Sequence, residues 1–234
     1  MLVRLLLPLA AFALLPASGA TSLLINFSSA SGNDMTIGQA NTLGADALQN
    51  VRTGTTNAAG TTATISLDGV TGSATYADYF QASQLANLGQ PYATFIGGAQ
   101  IGSTGNEAAV SISGLNAWMT ANNFTGYQVT LYYAGRSLAS ENLASTSQAV
   151  TFVTSSGTSY DTVSVLAHGT PSNTTFWSGT GAVQNFNSDT LSISVKYLSQ
   201  QSGLAAIKIT GVPEPSAALL GGLGALALLR RRRP

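Results

Sequence analysis

Histidine occurs once in this chain of 234 residues, and it is the first candidate for acid–base chemistry. His168 lies in the segment Ala167-His168-Gly169-Thr170-Pro171, whose glycine and proline predict an exposed turn after a strand at 163–165. A Ser-His-Asp triad would have to use His168, yet no Gly-x-Ser-x-Gly motif marks one serine as the nucleophile. One histidine and no cysteine also argue against a zinc or copper site.

Carboxylate pairs are the next candidates, because two acids that flank a glycosidic bond can hydrolyse it. Glu107 and Glu141 are the only glutamates between residues 21 and 211, and the polar sequence around each predicts a solvated loop. Asp34 and Asp161 could instead help to bind structural calcium together with backbone carbonyls. The sequence has no D-x-[DN]-x-[DN]-G run, so calcium stays an open alternative and no other cofactor is predicted.

Aromatic side chains are the remaining candidates for ligand contact, since tyrosine and tryptophan combine an apolar face with a polar atom. Trp177 follows Phe176 in a predicted strand, and adjacent residues of a strand face opposite sides of the sheet. We therefore expect one of the pair in the core and the other on the surface. Trp177 is a candidate contact for a glycan or a protein, with core packing as the alternative.

Charge is sparse, and its distribution excludes one class of partner. Between residues 21 and 211 four cations face eight acids, a balance of four minus eight, or about −4. The cations are Arg52, Arg136, Lys196 and Lys208, and the acids are Asp34, Asp46, Asp68, Asp78, Glu107, Glu141, Asp161 and Asp189. A mildly acidic domain with scattered cations lacks the basic surface that nucleic acid requires, so no nucleic-acid partner is expected.

Strands must position these residues, because apolar and polar residues alternate along much of the chain. In the clearest run, Leu191, Ile193 and Val195 alternate with serines. We predict about ten strands, near residues 22–27, 63–67, 74–80, 110–113, 129–133, 149–153, 163–165, 174–177, 191–197 and 204–210. Short helices are expected only in connections, at 45–51 and 116–122. Two antiparallel sheets that pack together bury such apolar faces, so the predicted fold is an all-β antiparallel sandwich.

The first twenty residues have the order of a secretory signal peptide. Arg4 supplies the positive charge, Leu5 to Leu15 an apolar stretch, and Ser18-Gly19-Ala20 a small-residue cleavage site. We predict that residues 1–20 direct the chain to the Sec translocon and that signal peptidase cuts after Ala20. The sandwich domain is then predicted to span residues 21–211.

Residues 212–234 carry the most specific motif. Pro213, Glu214 and Pro215 precede an apolar run at 216–229, and the segment closes with Arg230, Arg231, Arg232 and Arg233. This order resembles the PEP-CTERM sorting signal of exosortase systems. The resemblance implies transient insertion of a short helix into the inner membrane, cytoplasmic retention of the arginines, and cleavage at the motif by an exosortase-like membrane peptidase. Residues 216–229 give a helix of about 21 Å against a hydrocarbon core of roughly 30 Å, which suits a holding segment better than a permanent anchor.

Short motifs inside the domain extend this resemblance. Ile25-Asn26-Phe27 ends the first predicted strand, Ser113-Gly114-Leu115 precedes a tyrosine-rich strand, and the strand at 202–209 lies before the PEP motif. PEP-CTERM proteins show a similar order, which implies a jelly-roll or galactose-binding-like sandwich. The segment 118–126 is an insertion that departs from the simple pattern.

Together these features predict an exported bacterial protein of the cell surface or extracellular matrix, cut at its C-terminal motif and associated with exopolysaccharide. The lack of a catalytic motif in the sequence favours a non-enzymatic role. Two alternatives stay open: a carbohydrate-binding module, and a secreted glycan-degrading enzyme that uses Glu107 and Glu141. Exposed aromatic side chains would favour the module, and two acids facing each other across a cleft would favour the enzyme.

Overall fold

The fold is known from a computed structural model that describes residues 19–28, 34–52, 61–76, 78–81, 94–97, 107–138, 149–154, 157–162, 164–168, 174–181, 183–196 and 202–214. Fifteen strands and two helices lie within these ranges. The strands are β1 (Ser22–Ser28), β2 (Ala47–Arg52), β3 (Thr61–Leu67), β4 (Val70–Tyr76), β5 (Asp78–Gln81), β6 (Thr94–Gly97), β7 (Glu107–Ser113), β8 (Phe124–Leu138), β9 (Ala149–Thr154), β10 (Gly157–Thr162), β11 (Ser164–His168), β12 (Thr174–Thr180), β13 (Gln184–Phe186), β14 (Leu191–Lys196) and β15 (Ser202–Pro213). The helices are α1 (Ile37–Thr42) and α2 (Leu115–Asn122).

Two sheets contain these strands. The larger sheet follows the order β11-β12-β8-β15-β1-β2, with β13 paired to β8, β6 to β15 and β5 to β6. The smaller sheet follows the order β10-β9-β14-β7-β4-β3. The pairing of β1 with β2 is parallel, and the other described pairs are antiparallel. The prediction of an all-β protein built mainly from antiparallel strands is therefore confirmed.

One hydrophobic core joins the two sheets. Leu23 and Phe27 from the larger sheet belong to the same buried cluster as Ile65, Val110 and Ile193 from the smaller sheet. This core explains the alternation that predicted these strands, because the apolar residues pack in it. In β14, for example, Leu191 and Ile193 are buried, whereas Ser192 and Ser194 are partly exposed.

Strand β1 departs from this alternation, because all seven of its residues are buried. Its second face lies beneath α1, where Leu24 packs in a smaller cluster with Met35, Ala40 and Tyr132. A strand covered on both faces reads as a continuous apolar run rather than an alternating one. Both faces of β1 are therefore buried in the domain.

The predicted helix at 45–51 is wrong, since this segment forms β2, parallel to β1. Pairing with the open edge of β1 satisfies the backbone hydrogen bonds of β2 and overrides a weak local helix preference.

Helix α1 was not predicted, although the sequence carries its start signal. Thr36 and Gln39 form a capping box, in which each side chain bonds the backbone of the other residue.

The predicted helix at 116–122 is confirmed by α2. Asp189 holds its first turn, because Asp189 Oδ1 accepts from the Asn116 N–H at 2.9 Å. Asn123 adopts a left-handed conformation with φ of 56° and turns the chain directly from α2 into β8. Helix α2 is thereby fixed at the edge of the core, beside both ends of the domain.

Two strand predictions need correction. The predicted strand at 74–80 is divided between β4 in the smaller sheet and β5 in the larger one, so the chain changes sheets within it. The final strand, predicted at 204–210, runs from Ser202 to Pro213. The structure has more strands than the ten predicted, because polar segments such as β10 and β13 pair with neighbouring strands although their sequences do not alternate between apolar and polar residues.

Candidate functional site

The start of β1 and the end of β15 lie side by side. The two strands are antiparallel neighbours in which Ser22 pairs with Thr210, and the Gly211 N–H donates to the Thr21 carbonyl at 2.9 Å. Helix α2 and the start of β8 complete this end of the sandwich. We call this surface the exit end and define it by residues 19–22, 115–125 and 211–214.

Asp46 binds the start of β1 at the exit end. Its Oδ2 accepts from the Thr21 N–H at 2.9 Å and from Thr21 Oγ1 at 2.7 Å, and its Oδ1 accepts from the Ser22 N–H at 2.8 Å. Partial burial acts to raise the pKa of Asp46, but the hydrogen bonds from Thr21 and Ser22 outweigh it and hold the pKa below its usual value. The ionised carboxylate therefore anchors the first residues of the strand.

Ala20, the residue before the predicted signal-peptidase cut, is held between two side chains. Its N–H donates to Asp68 Oδ2 at 3.0 Å, and its carbonyl accepts from Trp118 Nε1 at 3.1 Å. Asp68 and Gly69 form the two-residue β3–β4 turn, with φ of 50° and 80°. Positive φ at both residues is typical of a type I′ hairpin, for which Asp-Gly is a preferred sequence.

The predicted sorting motif begins inside the last strand. Pro213 pairs with Phe124 after a register shift, and the Glu214 N–H donates to the Asn123 carbonyl at 3.2 Å. Thr125 Oγ1 donates to the Val212 carbonyl at 3.3 Å. Proline has no N–H to donate, so a strand end next to a bulge is a position it tolerates. The side chains of Pro213 and Glu214 are exposed, while the backbone before them is bound to β8.

Phe124 links the two chain ends through aromatic packing. Its ring centroid lies 5.1 Å from that of Trp118, the residue that contacts Ala20. On its other side the ring covers Gly211 so closely that an added methyl group would overlap it. Glycine at 211 is therefore required by this close approach, and the exit end packs as one unit.

The predicted calcium ligands are used differently or lie apart. The Asp34 carboxylate accepts from Ser28 Oγ at 2.7 Å and pairs with Arg52 at 2.6 Å. The Ser28 hydrogen bond, together with Arg52, holds the pKa of Asp34 below its usual value despite partial burial. Asp161 lies on β10 in the smaller sheet. Strand pairing does not bring the two residues together.

Two of the three residues considered for catalysis lie on strands. His168 is the last residue of β11 and pairs with Phe176, so its predicted turn position is wrong. Glu107 is the first residue of β7 and pairs with Lys196, so its predicted loop position is wrong as well. Strand pairing extends here into sequence that is locally polar, which is why the local pattern misled. Glu141 lies outside the described residues.

Trp177, Pro215 and Arg230 to Arg233 stay predictions. Trp177 lies on β12 opposite Gly135 of β8, and its side-chain contacts fall outside the described part of the structure. Pro215 and Arg230, Arg231, Arg232 and Arg233 also lie outside the described residues.

Within the described ranges, no helix is long and apolar enough to cross a membrane, and no three residues among His, Cys, Asp and Glu form a metal-binding group.

Sequence reasoning missed three residues that bind the chain at the exit end. Asp46, Asp68 and Trp118 bind the residues on either side of the predicted cleavage site, although each is distant from that site along the chain. Only Asp68 had a local signal, the Asp68-Gly69 dipeptide of a tight hairpin.

No family model matches this chain, and the comparisons with curated proteins and with solved structures gave no match either.

Proposed function

We propose that this chain is an exported bacterial protein of the cell surface or extracellular matrix, delivered by the Sec translocon. In this proposal signal peptidase cuts after Ala20, and an exosortase-like membrane peptidase cuts at Pro213-Glu214-Pro215. The apolar run at 216–229 and Arg230 to Arg233 hold the chain in the inner membrane until that second cut. The released sandwich, of jelly-roll type, is non-enzymatic and associates with exopolysaccharide.

The observation that carries the proposal is the placement of both chain ends at the exit end. Ser22 pairs with Thr210, so the signal peptide and the sorting tail leave the folded domain next to each other. This arrangement suits a precursor with both segments in one membrane, because neither segment then has to pass around the domain. Ends at opposite poles of the sandwich would have argued against it.

The length of chain available at the C-terminal side supports the same proposal. Among the described residues, the last backbone contact with the domain is made by Glu214, and the apolar run begins at Ser216. Two residues span at most about 7 Å when extended. The exit end of a membrane-held precursor would therefore lie against the membrane surface, within reach of a peptidase embedded there.

A pair of substitutions in the motif tests the proposal. In Glu214→Ala with Pro215→Ala, we expect the protein to stay in the membrane fraction, whereas the unchanged protein is released. Glu214 contacts the domain through its backbone N–H, which alanine retains, so the fold is preserved. A matched control, Asp34→Ala, removes a half-buried acid that pairs with Arg52 at the opposite end of β1 and should leave release unchanged. Equal release of both variants would contradict the proposal.

A further inference from the structure

The peptide bond between Ala20 and Thr21, the predicted signal-peptidase site, is bound to the folded domain on both sides. The Ala20 carbonyl accepts from Trp118 Nε1 at 3.1 Å, and the Ala20 N–H donates to Asp68 Oδ2 at 3.0 Å. The Thr21 N–H donates to Asp46 Oδ2 at 2.9 Å. The carbonyl oxygen and the N–H of this one bond are therefore both engaged by side chains of the domain.

The chain has no free length between this bond and the larger sheet. The Thr21 carbonyl accepts from the Gly211 N–H at 2.9 Å. Ser22 is the first residue of β1, pairs with Thr210 and is 3% exposed. One residue of extended chain spans only about 3.3–3.6 Å. A peptidase that encloses residues on both sides of the bond would therefore have to pull the start of β1 away from β15.

The peptidase and the folded domain compete for the same carbonyl oxygen. Hydrolysis adds water across the bond and leaves a carboxylate on Ala20 and an ammonium group on Thr21. A peptidase promotes this step with hydrogen-bond donors of its own, placed around the scissile carbonyl oxygen on which negative charge develops. In the folded domain that oxygen accepts from the indole N–H of Trp118, a residue that is 3% exposed. The contact with Trp118 must break before the peptidase can act.

The contacts that cover the bond come from distant parts of the chain. Asp46, Asp68 and Trp118 lie 25, 48 and 98 residues beyond the residues that they bind, and Gly211 belongs to β15. In the proposed export route the chain crosses the membrane from its N-terminal side. The bond consequently stays accessible until β15 has crossed, which gives the peptidase an interval in which to cut.

We propose that folding blocks the signal-peptidase site, so that the cut after Ala20 takes place before the exit end assembles. A chain whose domain folds first keeps its signal peptide and stays attached to the membrane through both terminal segments. Trp118, Asp68 and Asp46 are the residues that block the site. This inference rests on the cut after Ala20 in the proposed function and adds the order in which cutting and folding occur.

Purified signal peptidase acting on the full-length, uncut chain tests this order. One sample is folded, and the other is unfolded in urea and diluted into the same final buffer as the peptidase is added. We expect the unfolded chain to be cut after Ala20, and the folded chain to be cut about a hundredfold more slowly or less. Opening the site breaks at least four hydrogen bonds, each of which contributes roughly fivefold.

A pair of variants tests the assignment of Trp118. Trp118→Phe removes the donor to the scissile carbonyl and keeps an aromatic ring, so the folded chain should be cut about fivefold faster, because cutting follows the population of the open form. Tyr127→Phe is the matched control. It removes a hydroxyl that bonds Ser188 at 3.2 Å inside the core, away from Ala20, and should leave the rate unchanged. Equal acceleration by both variants would overturn the role of Trp118.

The failure of this inference differs from the failure of the proposed function. Equal rates for the folded and the unfolded chain would overturn the blocking of the site and leave the cut after Ala20 standing. An unfolded chain that the peptidase does not cut after Ala20 would overturn the proposed cut and this inference with it. The mass of the cleaved product from the unfolded sample separates the two cases.

Discussion

The two chain ends at the exit end are held by different chemistry. At the start of β1, Thr21 and Ser22 direct three hydrogen bonds to the Asp46 carboxylate. At the end of β15, Val212 pairs with Gly126 of β8, and the further contacts are neutral: Thr125 Oγ1 donates to the Val212 carbonyl, and the Glu214 N–H donates to the Asn123 carbonyl. Hydrogen bonds to an ionised group are about twice as strong as neutral ones. We therefore expect the last residues of β15 to separate from the domain more readily than the first residues of β1.

This difference matches the two processing steps that we propose. A cut after Ala20 would convert the Thr21 amide into an ammonium group 2.9 Å from Asp46 Oδ2 and strengthen an attachment that must last. A cut at the PEP motif needs a weakly held chain instead. Its substrate has to leave β8 and enter a peptidase, and the neutral contacts of Asn123 and Thr125 permit that.

The largest expected effect comes from the residue that joins the two sides. Trp118→Ala removes the aromatic partner of Phe124 and leaves a cavity in the core, so we expect a loss of about 3–5 kcal/mol in the free energy of unfolding. Chemical denaturation measures it. Trp118→Phe keeps a ring against Phe124 and should lose much less. Equal losses in the two variants would mean that packing at this position contributes little.

Asp46→Asn tests the N-terminal side. Asparagine keeps one acceptor oxygen and has an NH2 group in place of the other, so the charge is lost and at least one of the three hydrogen bonds is lost with it. We expect a loss of about 1–2 kcal/mol in the free energy of unfolding. The loss should be larger in the mature protein than in a chain that retains Ala20, since only the former has the ammonium group. A loss that is the same in both forms would contradict the proposed role of that charge.

The pH dependence of stability gives an independent test of Asp46. Its pKa is lower in the folded protein than the unfolded value of about 3.9, so its contribution is complete above that value. The contribution is lost as pH falls from about 4 through the folded pKa. We expect Asp46→Asn to lack this part of the acid destabilisation when unfolding curves at pH 7 and below pH 4 are compared. An unchanged acid profile would exclude Asp46 as its source.

The smallest effect on stability is expected at the C-terminal side. Thr125→Val removes the hydroxyl that donates to Val212 and keeps a β-branched residue, so the free energy of unfolding should change by less than about 1 kcal/mol. Cleavage at the PEP motif in cells should nevertheless become faster, because the strand end separates more readily. Thr64→Val, at an exposed position of β3, serves as the control. Slower cleavage in Thr125→Val would contradict the expectation that the end of β15 must separate from β8 before it is cut.

The sequence predicted those features that local patterns encode. Alternation located β7 and β14 because one face of each strand packs in the shared core, and the same pattern supported an all-β fold. Helix α2 was also predicted, since its segment lacks strand alternation. Parallel pairing of β2 with β1 was not, because it depends on an edge that a distant part of the chain provides. Local propensity carries no information about that partner.

The candidate site also divides into residues that a local motif marks and residues that only the fold brings together. Pro213, Glu214 and Ala20 were predicted because each belongs to a contiguous motif. Asp46, Asp68 and Trp118 contact the same region from 25 to 98 residues away along the chain, and nothing in their local sequence marks that contact. Only the fold brings these residues to one end of the sandwich, so sequence reasoning could not place them.

The central claim is that both ends are processed, and the intact mass of the native protein tests it most directly. The protein would be purified from wild-type cells and from cells that lack their exosortase. Our account predicts a start at Thr21 in both strains, and loss of the chain beyond the PEP motif only in wild type. A full-length C-terminus in both strains would contradict the account and leave a domain that stays attached to its tail.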